Sequence, residues 1–211
     1  MKNVQSAYEL QNAEQVISEH DDFTPDRYRH FFSLFPAKAR RVLDIGCNTG
    51  TGGVVLKSLN SKLVITGLDC VERRLAALPA QYSNKIYGLS TDIPADDQSF
   101  DVVVGGEFLE HLYPGDVDRT LCEMQRVLAI GGRLLLTTPN PFYLKNRLSH
   151  KTIYGVSHLT QHFPKTLALR MMMHGFSNVR TCGTGRVSKY IGRHIPILSL
   201  YGSYLAYGDK Y

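Results

Sequence analysis

Nowhere does this 211-residue chain come near the ~18 consecutive apolar residues that cross a bilayer. The longest candidate, 195–207, is broken by Pro196, Ser199, Gly202 and Ser203, which excludes a membrane span. The opening Met1-Lys2-Asn3-Val4-Gln5 holds no apolar core of a secretion signal. Cysteine is scarce, and Cys47, Cys70, Cys122 and Cys182 form no CxxC pair, which argues against a zinc knuckle or a disulfide scaffold. These absences point to a reduced, cytoplasmic protein. Acid is missing from one end: from Lys145 onward ten basic residues face Asp209 alone, so that part carries +9 and the part before it −4. Such a basic end raises the question of an anionic partner.

What is present suffices for one domain, expected to divide into N-terminal helices (1–38), a central half (39–140) and a cover with the last strands (141–211). The N-terminal stretch 5–35 reads as helical, with a break at Asp21-Asp22 and a restart at Thr24-Pro25, a cap followed by Pro at the first helical position. Short apolar runs then alternate with helical segments: strands at 41–45, 63–68, 85–89, 100–104 and 133–138, and helices at 54–59, 71–78 and 116–128, the last closed by Gly131-Gly132. A helix over 164–174 and strands at 176–181 and 203–207 follow. Strands that are apolar throughout, separated by helices, predict an α/β fold: a doubly wound, mostly parallel sheet covered by helices on both faces.

In such a sheet, ligands bind beyond the carboxyl ends of the strands, beside the first strand above all. There stands Asp44-Ile45-Gly46-Cys47-Asn48-Thr49-Gly50-Thr51-Gly52-Gly53. It is no P-loop, because no Gly-Lys dipeptide occurs in the chain, and GxGxxG fails at its last glycine. The spacing Gly46, Gly50, Gly52 matches the GxxxGxG of short-chain dehydrogenases, but no Tyr has Lys four residues on, as those enzymes require. Val42 to Gly50 resembles motif I of the class I S-adenosylmethionine-dependent methyltransferases, with Asn48 where that family commonly has Gly, a residue that tolerates the left-handed conformation. Further segments are similar in order: Gly67-Leu68-Asp69, Thr91-Asp92-Ile93, Phe100 to Val104 running into Gly105-Gly106-Glu107-Phe108-Leu109-Glu110-His111, and Gly131 to Asn140. The resemblance is to small-molecule enzymes of methyltransferase type 11 and the ubiquinone-type O-methyltransferases. It implies a seven-stranded sheet and S-adenosyl-L-methionine as cofactor, with S-adenosyl-L-homocysteine as product. It implies cofactor binding by Asp44, Gly46, Cys47, Asn48, Gly50 and Gly105, with Asp69 on the ribose hydroxyls, Asp92 on the adenine amino group and Ile93 beside the ring.

Methyl transfer is an in-line displacement in which alignment supplies much of the acceleration. For an oxygen acceptor a base is useful, and His111, near the end of the fourth strand, is the side chain suited to take a proton at neutral pH, with Glu107 as its catalytic neighbour. Glu107, Glu110 and His111, at i, i+3 and i+4, share a face if helical. Such a set can hold a divalent cation, as the ubiquinone-type enzymes do with a similar segment, and equally well can be acids at a helix start. No metal is assigned. His158, His162 and Arg186 are the expected substrate-side residues. No Asn/Asp-Pro-Pro-Tyr/Phe signature of nitrogen methylation follows strand four. The expectation is O-methylation of a small acceptor bearing phosphate or carboxylate, or of a sugar. An RNA-modifying enzyme and an inert cofactor-binding module remain the alternatives, although no separate nucleic-acid recognition module fits this length.

Overall fold

The computed structural model describes residues 2–13, 23–154, 157–185, 187–193, 195 and 197–211. The apolar runs become strands of one seven-stranded sheet: β1 (Arg41–Ile45), β2 (Val64–Asp69), β3 (Asn84–Tyr87), β4 (Phe100–Gly106), β5 (Leu128–Pro139), β6 (Phe176–Thr184) and β7 (Ser203–Lys210), in the order β3-β2-β1-β4-β5-β7-β6. The first five run parallel; β7 is antiparallel to both β5 and β6, so β6 points the same way as β5. Helices α1 (Lys2–Ala13) and α2 (Phe23–Ser33) precede the sheet. Between strands lie α3 (Thr51–Leu59), α4 (Glu72–Ala76), α5 (Asp116–Val127), α6 (Leu144–Leu148), α7 (Pro164–Met173) and α8 (Ser188–Ile191). The expected break at Asp21-Asp22 lies outside the described residues.

Apolar side chains on both faces of the central strands give the sheet two cores. Leu43, Ile45 and Val103 pack with Val117, Leu121 and Met124 of α5 and with Leu167 and Met171 of α7. Their sequence neighbours Val42, Val102 and Val104 point the other way, onto Tyr28 and Phe31 of α2, Leu56 of α3 and Leu75 of α4. Burying one such aliphatic side chain is worth about 1.5–3 kcal/mol, so this alternation is what clamps helices to both faces.

The helix α5 stops at Val127, four residues before the glycine pair expected to end it. Leu128 already pairs with Phe100, whereas Arg133 pairs with Val102, so Gly131-Gly132 form a bulge inside β5. Gly131 takes a φ of +78° there, and a Cβ on Gly132 would lie 2.8 Å from the Ala129 carbonyl oxygen. The last strand continues to Lys210. Arg133 grips Asp209 through two hydrogen bonds of 2.6 and 3.2 Å and donates to the Leu34 carbonyl, fastening β7 and the residue after α2 to β5.

Candidate functional site

The chain order reverses beside β1, with β2 on one side and β4 on the other, and the carboxyl ends of these strands surround a cavity of about 630 Å³. Its floor is the turn after β1. Gly46 sits at a φ of +67°, where a Cβ would lie 2.7 Å from the Phe108 ring, so only glycine closes this turn. Asn48 follows at +49°, and its side-chain oxygen is buried without a hydrogen-bond partner. The amides of Gly46 and Cys47 donate to the Leu68 carbonyl, binding the turn to β2.

Asp69 ends β2 and lines the cavity. One carboxylate oxygen accepts from the Asn48 amide at 3.0 Å and the other from the Val71 amide at 2.9 Å, while the Arg74 guanidinium stands 3.9 Å away. Burial raises its pKa; those amides and Arg74 work against the rise. Two amides occupy two of a carboxylate's roughly four lone-pair sites, so a fixed, accepting edge is left for a ligand's donors.

The N-terminal helices supply a wall made of Tyr8, Asn12, Thr24, Arg27 and Tyr28. Tyr28 reaches beneath the turn: its hydroxyl and that of Tyr82 each donate to the wholly buried Asp44 at 2.5 Å. Burial pushes the Asp44 pKa up to about 6, with the two hydroxyls holding it down. Asp44 is therefore a keystone behind the turn and lines no part of the cavity.

The opposite wall leaves β4. Glu107 takes a φ of +51° and donates its amide to the Thr137 carbonyl at 3.0 Å; its carboxylate lies 3.9 Å from Arg27 and accepts from the Ser203 hydroxyl at 3.4 Å. A single 3-10 turn, Leu109–His111, comes next. His111 lines the cavity, and its Nδ1 lies 2.8 Å from the Ser157 carbonyl. A carbonyl only accepts, so Nδ1 carries the proton and Nε2 is the basic nitrogen. Burial lowers the His111 pKa to about 4, partly opposed by the Ser157 bond. The segment behind it is laced to the turn: Leu159 and Thr160 donate their amides to the Glu110 carbonyl, and the Thr160 hydroxyl donates to that of Leu109.

Glu107, Glu110 and His111 do not share a helix face, because Glu107 lies in the bend just after β4 and only the 3-10 turn follows. Glu110 instead turns inward and is fully buried. Burial and the charge of Glu107 drive its pKa well above the ordinary carboxylate value. Donor atoms of Glu110, His111 and His158 lie within 4.8 Å of one another, the set most able to hold a cation among the described residues. His158 packs edge-on against His111 at 5.0 Å between ring centroids and holds the Ile153 carbonyl through Nδ1 at 2.7 Å.

Of the expected site residues, Gly46, Cys47, Asn48, Asp69, Glu107 and His111 meet at the cavity. Others do not reach it. Gly50 faces Pro79 and Leu78, and Gly105 faces Leu136 across the sheet. Asp92 is exposed beyond a tight turn that bonds its amide to the Leu89 carbonyl, and Ile93 is core, so Ser90 and Thr91 line the wall in their place. His162 is buried against Thr160, and Arg186 lies outside the described residues. Arg74 and Ser90 were missed, since nothing local in the sequence distinguishes them from surface polar residues.

A methyltransferase-domain family model matches residues 43–136. A probable S-adenosylmethionine-dependent methyltransferase of Mycolicibacterium smegmatis is 35% identical over 103 residues, 48% of this chain and 38% of that protein. A fatty-acid O-methyltransferase of the same organism is 30% identical over 134 residues, 60% of this chain and 48% of that protein. The chain thus spans less than half the length of these curated relatives. Among solved structures, a SAM-dependent methyltransferase from Thermotoga maritima, titled a possible histamine N-methyltransferase, superposes with a TM-score of 0.70 over 100% of this chain and 96% of its own, at 20% identity.

Proposed function

We propose that this chain is a class I S-adenosylmethionine-dependent methyltransferase that methylates an oxygen of a small acceptor bearing carboxylate or phosphate. The observation that carries the reading is the convergence of the Gly46–Asn48 turn, the Asp69 carboxylate and the His111 imidazole on one cavity at the β1/β4 switch. The cavity fits the family's cofactor. Asp69 keeps an accepting edge for vicinal hydroxyls, the buried Asn48 oxygen awaits a donor, and Ser90 and Thr91 offer polar groups next to Leu89. When bound, S-adenosylmethionine supplies a sulfonium-activated methyl group that needs no metal or covalent help to be transferred.

This chain's own residues then have three tasks. The N-terminal wall and the turn after β4 exclude water and align the acceptor oxygen. His111, neutral at physiological pH, takes the proton at Nε2 where the acceptor is a hydroxyl. Glu107, held between Arg27 and Ser203, orients the acceptor beside it. The excess of basic residues after Lys145 is in keeping with an anionic acceptor, and the relative named fatty-acid O-methyltransferase with a carboxylate. Calorimetry with S-adenosylhomocysteine tests the cofactor assignment. Asp69→Ala is expected to weaken binding by ten-fold or more, about 1.4 kcal/mol, and unchanged affinity would refute the assignment.

A further inference from the structure

Two segments of the cover present apolar side chains to solvent and contain no acid of their own. The chain has no Asp or Glu between Glu123 and Asp209. The first segment leaves β5 at Pro139 and the second leaves β6 at Thr184; because β5 and β6 point the same way, both emerge at the edge that carries the cavity. Asn140, wholly buried, ties them together, its side-chain amide donating to the carbonyls of Leu198 and Tyr201 at 2.7 and 2.9 Å.

The first segment contains α6, Leu-Lys-Asn-Arg-Leu, none of whose residues is buried. Leu144 and Leu148, at i and i+4, form a seam along one side, exposed by 44% and 74%. Lys145 and Arg147 fall to either side of that seam at helical spacing. Leu144 and Leu148 also line an open groove of about 490 Å³ between α6 and Ser199 and Leu200 of the second segment. Phe142, 43% exposed and 5.1 Å from the ring of Phe163, and Ile197, 55% exposed, belong to the same two segments.

We propose that this face docks on the surface of an anionic lipid bilayer. A leucine seam flanked by cations is the arrangement that buries apolar groups at the acyl boundary while Lys and Arg reach the headgroups. The lack of acid within both segments favours an anionic lipid surface over a second copy docked through the same face, which would bring a like charge to the contact. No described helix is long and apolar enough to cross a membrane; the contact proposed is with the bilayer surface. Docking there presents the cavity edge to the bilayer and makes an amphipathic lipid the acceptor class. That last step rests on the proposed function; the docking itself does not.

Vesicle flotation tests it with the full chain, phosphatidylcholine vesicles with and without phosphatidylglycerol, and no methyl acceptor. Binding only to the phosphatidylglycerol vesicles, weakened by salt, is expected. Each basic residue is worth roughly five-fold in affinity at such a surface, so Lys145→Glu with Arg147→Glu is expected to lose about 25-fold or more. Leu144→Asp with Leu148→Asp tests the apolar part, and an unchanged response to S-adenosylhomocysteine shows that both variants fold. Absence of binding, binding untouched by either variant pair, dimerisation through α6, or displacement of the vesicles by tRNA would each overturn the docking, whereas failed cofactor binding would overturn only the proposed function.

Discussion

At the scale of single residues, His111 and Asp69 owe their roles to neighbours far away in the chain. His111 was legible as a candidate base because it follows a strand end. Its tautomer was not, since that depends on the Ser157 carbonyl, 46 residues on. With a folded pKa near 4 against the ordinary 6.5, the unfolded chain takes up this proton first on acidification. His111 therefore contributes stability that is complete above about pH 6.5 and is lost as pH falls toward 4. An NMR titration of the His111 ring in the folded protein is expected to show a midpoint near 4 and the proton on Nδ1. A midpoint at 6 or above would mean that the imidazole is solvated, and the loop 157–160 would not be packed as described. Asp92 teaches the converse. Its place after a strand suggested a ligand contact, yet a single turn between Leu89 and Asp92 turns it outward, and turn geometry of that kind depends on tertiary packing more than on the letters Ser-Thr-Asp.

Among the elements, those with strong apolar runs were read to within a residue or two, because β1 and β4 bury both faces and the pattern is unambiguous. The start of β5 was misread, at 133 instead of 128, because a glycine pair signals helix termination and a strand bulge equally well. What the sequence does not show is the contact that fixes α2, whose Tyr28 lies sixteen residues from the carboxylate that it holds in place. Asp44 is mostly ionised at neutral pH, given a pKa of about 6, so losing the Tyr28 hydroxyl removes a hydrogen bond to a charged group. Tyr28→Phe is expected to cost about 1.5–3 kcal/mol at pH 7.5 by urea denaturation. The penalty should shrink at pH 5, where Asp44 is mainly protonated and the bond is an ordinary one. A penalty equal at both pH values would show that Asp44 is neutral throughout, and one near zero would show that α2 is not anchored through this hydroxyl.

The whole molecule divides its labour by charge. The part before Lys145 carries −4 and contains every residue that lines the cavity, and the basic remainder contains β6, β7 and the stretches that leave β5 and β6 at the same edge of the sheet. The division was visible in the sequence as an imbalance; its meaning required the strand directions, which alone show that the segments after β5 and β6 emerge beside the cavity. The cavity also draws its walls from the two N-terminal helices, from the ends of β1, β2 and β4, and from the stretch after β3. A ligand seated there touches parts that are otherwise joined by few direct bonds, such as the Tyr8 hydroxyl to Asp116 and the Arg74 guanidinium to the Asn12 carbonyl. Binding to the folded state alone adds about 2.7 kcal/mol at a ligand concentration of 100 Kd. For a chain of this size each kcal/mol raises Tm by about 2–4 °C, so S-adenosylhomocysteine at that excess should raise Tm by roughly 5–10 °C. Asp69→Ala should lose most of that shift at the same concentration, and the Leu144→Asp, Leu148→Asp variant should keep it, because α6 lies outside the cavity. A shift equal in wild type and Asp69→Ala would place the ligand elsewhere, and a shift lost in the α6 variant would mean that cofactor cavity and basic cover are one cooperative site.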